Sequence, residues 1–183
     1  MKQDVQVERV YAAQTELADR HGYGRDMSIQ EIRVLSHKII TSIWWKSRWP
    51  DVIDVRVTIG RGRTQAGASR DGAVGTLYFP ERTRCELNVM HELAHVAEGM
   101  NEPYHSPEWA RIYLEITKRW MPEFATPLSI AFQRHKVVVA RTTRVIPTHD
   151  IKKVKPYQTV LSRIVKLKSE LKEATAKLRR MKI

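Results

Sequence analysis

Apolar side chains recur along this chain with a period that changes several times, and each change marks an element. Over residues 4–21, Val7, Val10, Tyr11, Gln14, Leu17 and Ala18 return at intervals of three and four, which predicts a helix that Gly22 can close. Ser28-Ile29-Gln30-Glu31 reads as a capping box opening a second helix, whose stripe is Ile32, Leu35, Ser36, Ile39, Ile40 and Ile43. Pro50 prevents that helix from running on. The period then drops to two in Val55-Arg56-Val57-Thr58-Ile59, a strand signal. Residues 60–72, rich in Gly and Arg, read as a loop, and a second strand over roughly 73–79 ends at Pro80.

The helical period returns after that proline. Thr83-Arg84-Cys85-Glu86 reads as another capping box, opening a helix that ends near Gly99. Ser106 with Pro107 behind it starts a fourth helix, which stops before Pro122. Thr126-Pro127 opens a short helix to about His135. Residues 136–156 contain Pro147 and Pro156 and hold no sustained period, so they read as a linker with one strand at 136–141. From Tyr157 a regular seam begins: Tyr157, Val160, Ile164, Leu167, Leu171, Ala174, Leu178 and Met181. Its spacing alternates between three and four, as in a coiled coil of about three heptads. Helices alternating with a short sheet make the fold class α+β, with a basic coiled-coil-like helix at the C-terminal end.

Composition narrows the classes of function. The 183 residues are 42% hydrophobic, enough for one domain with a real core and an appendage. The longest apolar runs, such as Val137-Val138-Val139-Ala140, are far too short to span a membrane. The segment MKQDVQVERV has no continuous apolar stretch of the secretory kind, and Cys85 is the single cysteine. These features predict a cytoplasmic protein. The net charge of +12 is unevenly placed: residues 1–133 hold 17 Lys and Arg against 17 Asp and Glu, whereas residues 134–183 hold 15 against 3. The expected organisation is therefore a neutral body over 1–133, a basic linker over 134–156 and a basic amphipathic helix over 157–183.

The chemistry lies in the helix after Thr83, where His91-Glu92-Leu93-Ala94-His95 matches HExxH. Residues four apart share one helix face, so both imidazoles can bind a single Zn²⁺ at about 2.0–2.1 Å each. Glu92 can then take a proton from the water that the ion activates. A catalytic zinc needs a third protein ligand and an open position. The metzincin position for a third His holds Asn101, which excludes that pattern. Glu115 falls at the thermolysin-like distance but shares its helix face with Glu108, Arg111, Lys118 and Arg119, a salt-bridging surface. His105, on the short return loop before the Ser106 cap, is the better candidate, and Glu115 stays as the alternative. Glu98, one turn beyond His95, is either a carboxylate orienting a ligand or a plain surface residue.

HELAHV followed by HSPEWARIYLEI resembles the SprT-like and Spartan metalloproteases, in which HExxH precedes a His-Gly-Pro-Glu-aromatic segment. Ser106 stands where that pattern has Gly, and Trp109 supplies the aromatic residue. From about Val7 to Phe132 the layout is also similar to a family of HExxH metallohydrolases of actinobacteria and their phages. The shared parts are an RVYAAQ-like first helix, a Trp-Pro before the first strand, HExxH and HxPEW. The resemblance implies a zincin-like domain with His91, His95 and His105 as metal ligands and Glu92 as catalytic base. It does not reach the tail.

The expected activity is zinc-dependent hydrolysis of peptide bonds in a protein substrate. An oxyanion donor is still required, and Tyr104, beside His105, is the candidate. The strand at Ala73–Phe79 is expected to offer an edge to an extended peptide, with Arg61, Arg63 and Arg70 flanking the cleft. The glycines of that loop form no phosphate-binding fingerprint. The helix 157–183 carries eight Lys and Arg against two Glu, which suits salt-dependent, sequence-independent contact with nucleic acid. An acidic protein partner and simple solubility are the other readings, and the seam itself allows self-association. The alternative to an enzyme is a non-catalytic phage or interaction protein that keeps the zinc helix as scaffold.

Overall fold

Ser28 fixes the start of the second helix as its sequence requires. Its hydroxyl accepts from the Glu31 backbone at 3.2 Å, and the Glu31 carboxylate accepts from the Ser28 backbone at 2.8 Å. The computed structural model, which describes Asp4 and residues 6–100 and 104–141, places this element in an α+β body. In chain order the elements are α1 (Val7–His21), α2 (Ile29–Thr41), α3 (Ile43–Lys46), β1 (Asp54–Thr58), β2 (Gly67–Asp71), β3 (Val74–Tyr78), α4 (Glu86–Glu98), α5 (Pro107–Trp120) and α6 (Pro122–Arg134). Among the described residues no helix is long and apolar enough to cross a membrane. The expected helix 157–183 and most of the expected linker lie outside the described residues.

The three strands lie in the order β1-β3-β2. β1 runs parallel to β3, and β2 pairs antiparallel to β3 from Gly67 opposite Tyr78 to Asp71 opposite Val74. β2 was hidden in the expected loop because Gly-Ala-Ser-Arg-Asp carries no alternation, and pairing with β3 alone makes it a strand. The expected edge at Ala73–Phe79 is consequently the centre of the sheet, hydrogen-bonded on both sides. Arg70 does not flank a cleft. It pairs with Asp51 and donates to the Val96 carbonyl at 2.9 Å, clamping the sheet to α4.

α4 is the buried axis of the body, with every residue from Leu87 to Ala97 in the core except half-buried Asn88. It packs on β2 and β3 below it and on α5 beside it. The close approach uses Gly75, where a Cβ would lie 2.7 Å from Val96 Cγ1. The helix starts later than Thr83. Met27 N–H donates to the Arg84 carbonyl at 2.8 Å, and Asp26 bridges Cys85, which holds this segment extended. Thr83 instead closes a 3₁₀ turn by donating to the Pro80 carbonyl at 3.0 Å, and Cys85 becomes an N-cap without a side-chain bond. Gly99, in the left-handed region at φ 91°, ends the helix as expected.

Three other boundaries differ from the local pattern. Ser42 turns extended and caps α3 by accepting from Trp45 N–H at 3.1 Å, which sends Trp45 into the core and leaves Ile43 88% exposed. α6 begins at Pro122, where a first-position proline is tolerated, and carries Pro127 inside it. That proline frees only the carbonyl of exposed Glu123, which water can satisfy. No strand forms at residues 136–141. This segment instead lies against the body, with Val137 buried, Val138 N–H donating to Gln6 Oε1 at 2.9 Å and Ala140 N–H donating to the Pro107 carbonyl at 2.8 Å.

Candidate metal centre

One helix interior and one helix terminus assemble the site. His91 and His95 lie one turn apart in the middle of α4, and His105 directly precedes the Ser106 N-cap of α5. Ser106 Oγ accepts from Glu108 N–H at 3.1 Å and from Trp109 N–H at 3.0 Å, which fixes where α5 begins. The same hydroxyl donates to the Glu98 carboxylate, tying the last turn of α4 to the first turn of α5. Glu98 therefore holds α4, which carries His91 and His95, in register with the start of α5 just after His105. Its carboxyl is pushed up to about 7, chiefly by burial, against the opposing Ser106 bond.

The structure brings the three histidines together. His95 Nε2 lies 3.2 Å from His91 Nε2, and His105 Nε2 lies 3.4 Å from the same atom. All three ligand atoms fall within 4.8 Å of one another, and all three residues are buried. Burial holds His91 well below the usual imidazole value, with the neighbouring His95 and His105 adding to the effect. His95 is lowered to about 3 by burial and by His105. Burial also lowers His105, although Asp4 opposes it. Near neutral pH the rings are thus uncharged, with lone pairs available.

The outer nitrogens of His105 and His91 are held from α1 and the segment before it. His105 Nδ1 is 2.6 Å from Asp4 Oδ2, which also accepts from His105 N–H at 3.2 Å. Gln6 donates to the His105 carbonyl. Gln14 Nε2 is 2.8 Å from His91 Nδ1 and 3.1 Å from the Tyr113 hydroxyl. His95 Nδ1 is buried without a hydrogen-bond partner among the described residues, and its ring stacks on Trp109 at 5.1 Å. Trp109 also meets His91 and His105 edge-on at 4.7 and 4.6 Å. With Asp4 taking the Nδ1 proton of His105, its Nε2 is a bare acceptor pointed at two other ring nitrogens. Acceptors crowded this closely in a buried site suit a bound cation, and three neutral nitrogen donors could hold a metal ion.

Glu92 is buried beside the first of these ligands, and desolvation pushes its carboxyl up to about 8 against the pull of Arg63. Arg63, whose guanidinium lies 4.4 Å over the Tyr78 ring, is the member of the expected arginine trio whose charge reaches Glu92. Glu115 is not in the cluster. It accepts from Arg48 at 2.7 Å and from Arg111 at 2.8 Å, as a salt-bridging surface residue. Tyr104 is 44% exposed and makes no hydrogen bond or ring contact with the histidines. Tyr11 does meet them, with its ring parallel to that of His91 at 6.3 Å and edge-on to His105 at 5.5 Å.

Asp4, Gln14 and Tyr11 carry no motif. The legible signal was Gln14, an amide set in the apolar stripe of α1, where a buried polar group must find a partner. Comparison with protein-family models, with curated proteins and with solved structures finds no significant match to this chain.

Proposed function

We propose that the chain is a zinc-dependent metallohydrolase with a zincin-like core, and within that class a SprT-like peptidase. The observation that carries this reading is the convergence of three buried, uncharged imidazoles beside a buried carboxylate on the same helix. His91, His95 and His105 would hold the ion. Zinc, when bound in such a three-histidine set, lowers the pKa of a coordinated water and polarises a carbonyl.

The protein's own groups divide the remaining work. Asp4 accepts the Nδ1 proton of His105, fixing the tautomer that leaves Nε2 free. In a ligating His91, Nδ1 is the nitrogen turned away from the ion, and the Gln14 amide 2.8 Å from it fixes the orientation of the ring. Glu92 takes one proton from the attacking water as the new C–O bond forms. It delivers that proton to the amine as the C–N bond breaks, so it ends the cycle as it began. A carboxyl with raised pKa is a competent proton carrier near neutrality, and a divalent cation beside it favours the charged form that must accept first.

The basic residues of 134–183 suit recruitment of this activity to nucleic acid, through contacts to phosphate. The test of the catalytic reading is Glu92→Gln. The amide cannot accept the water's proton, so the variant keeps one zinc per chain by elemental analysis and loses cleavage of casein by at least ~10²-fold. Wild-type protein that binds zinc but cleaves no protein, with or without DNA, would instead be a non-catalytic scaffold.

A further inference from the structure

α1 directs two side chains at the metal centre, one turn apart on the same face. Gln14 is buried against His91, whereas Tyr11 is 41% exposed. The other aromatic rings touching the histidines, Trp109 and Tyr113, are fully buried, and the Tyr113 hydroxyl is already engaged by Gln14. Tyr11 is therefore the ring that borders both the histidines and solvent. Its hydroxyl makes no hydrogen bond among the described residues.

Hydrolysis at a carbonyl needs a donor where negative charge collects on oxygen. We infer that Tyr11 is a catalytic residue, its phenol donating a hydrogen bond to the carbonyl oxygen of a peptide bond held on the open side of the three histidines. This rests on the metallohydrolase reading and assigns the oxyanion donor to Tyr11, whose ring meets His91 and His105, in place of Tyr104. The phenol keeps its proton throughout, so no further acid or base is required.

The experiment compares zinc-loaded wild type, Tyr11→Phe and Tyr104→Phe in zinc content, in calorimetric affinity for acetohydroxamate and in casein hydrolysis. Acetohydroxamate offers a metal site a carbonyl oxygen without being cleaved. Tyr11→Phe should keep one zinc, bind acetohydroxamate about tenfold more weakly and lose kcat by roughly 10²-fold with KM little changed. Tyr104→Phe should match wild type. A Tyr11→Phe protein that binds acetohydroxamate as tightly as wild type overturns the inference. Loss of zinc from that variant also overturns it, because Tyr11 would then be packing the ligands. Tyr11-dependent acetohydroxamate binding by a wild type that cleaves nothing supports the donor and sinks the peptidase. A wild type that takes up no zinc sinks both.

Discussion

Asp4 and Gln14 are single polar side chains set behind the three-histidine cluster. Each holds the outer nitrogen of one imidazole, and neither lies on the helix that carries the HExxH motif. Partners of this kind typically change metal affinity by about 10–100-fold when removed. Asp4→Ala should therefore weaken zinc binding within that range in a competition titration. Replacing His91, His95 or His105 should abolish stoichiometric binding, and Glu115→Ala should leave it unchanged. Zinc retained by His105→Ala and lost by Glu115→Ala would reverse the ligand assignment. The same residues set the response of the metal-free protein to pH. The buried imidazoles bind fewer protons folded than unfolded, so they make stability rise with pH from about 3 for His95 up to the ordinary imidazole value of 6.5. Glu92 and Glu98 have raised values, so the folded state holds protons the unfolded state releases. Their contribution falls as pH rises from 4.5 towards about 8 and about 7 respectively. Only the carboxyl effect operates above 6.5. The urea midpoint of chelator-treated protein should peak near pH 6.5 and decline on both sides. A midpoint flat from pH 6.5 to 8.5 would mean that Glu92 is solvated.

At the level of elements, the decisive contact is α4 on the sheet. Gly75 lies in the central strand, and Val96 above it follows His95 of the three-histidine cluster in sequence. Val96 is fully buried and β-branched, so it has nowhere to swing. Gly75→Ala should lift α4 off the strand, costing about 1–3 kcal/mol in urea unfolding and lowering zinc affinity with it. Val96→Ala in the same chain should recover part of that loss, and strictly additive effects would show that the two side chains do not meet. The helix caps tell a related story. Ser28 and Ser106 cap as their local sequence predicts, because each needs only the three residues that follow it. Thr83 does not, because a bridge from Asp26 to Cys85 overrides it.

For the whole molecule the question is where the charge resides. Residues 142–183 hold 12 of the 32 Lys and Arg but only 3 of the 20 Asp and Glu. Residues 137–140 pack on the body through Val137, Val138 and Ala140, so a shortened chain should end at Arg141 rather than at 133. That chain should keep its fold and its zinc. The full chain should bind duplex DNA with an affinity that falls steeply with salt, through release of counterions, and the shortened chain should not. Equal binding by the two at several salt concentrations would rule out the tail as a tether.

Elements whose causes are local can be read from the chain without its fold. The HExxH spacing puts His91 and His95 on one helix face, Ser106 with Pro107 begins α5 next to His105, and Gly99 ends α4, all within a few residues of backbone. The charge asymmetry was legible for the same reason, since it depends on composition alone. Tertiary structure decided whatever depends on partners far along the chain. Gly67–Asp71 is a strand only because β3 is beside it, and β3 is central only because strands on both sides pair with it. Asp4 reaches His105 across 101 positions, and Gln14 reaches His91 across 77. No local pattern encodes such meetings. They follow from burying α1 against the body, which leaves the polar groups on its inner face to find partners there.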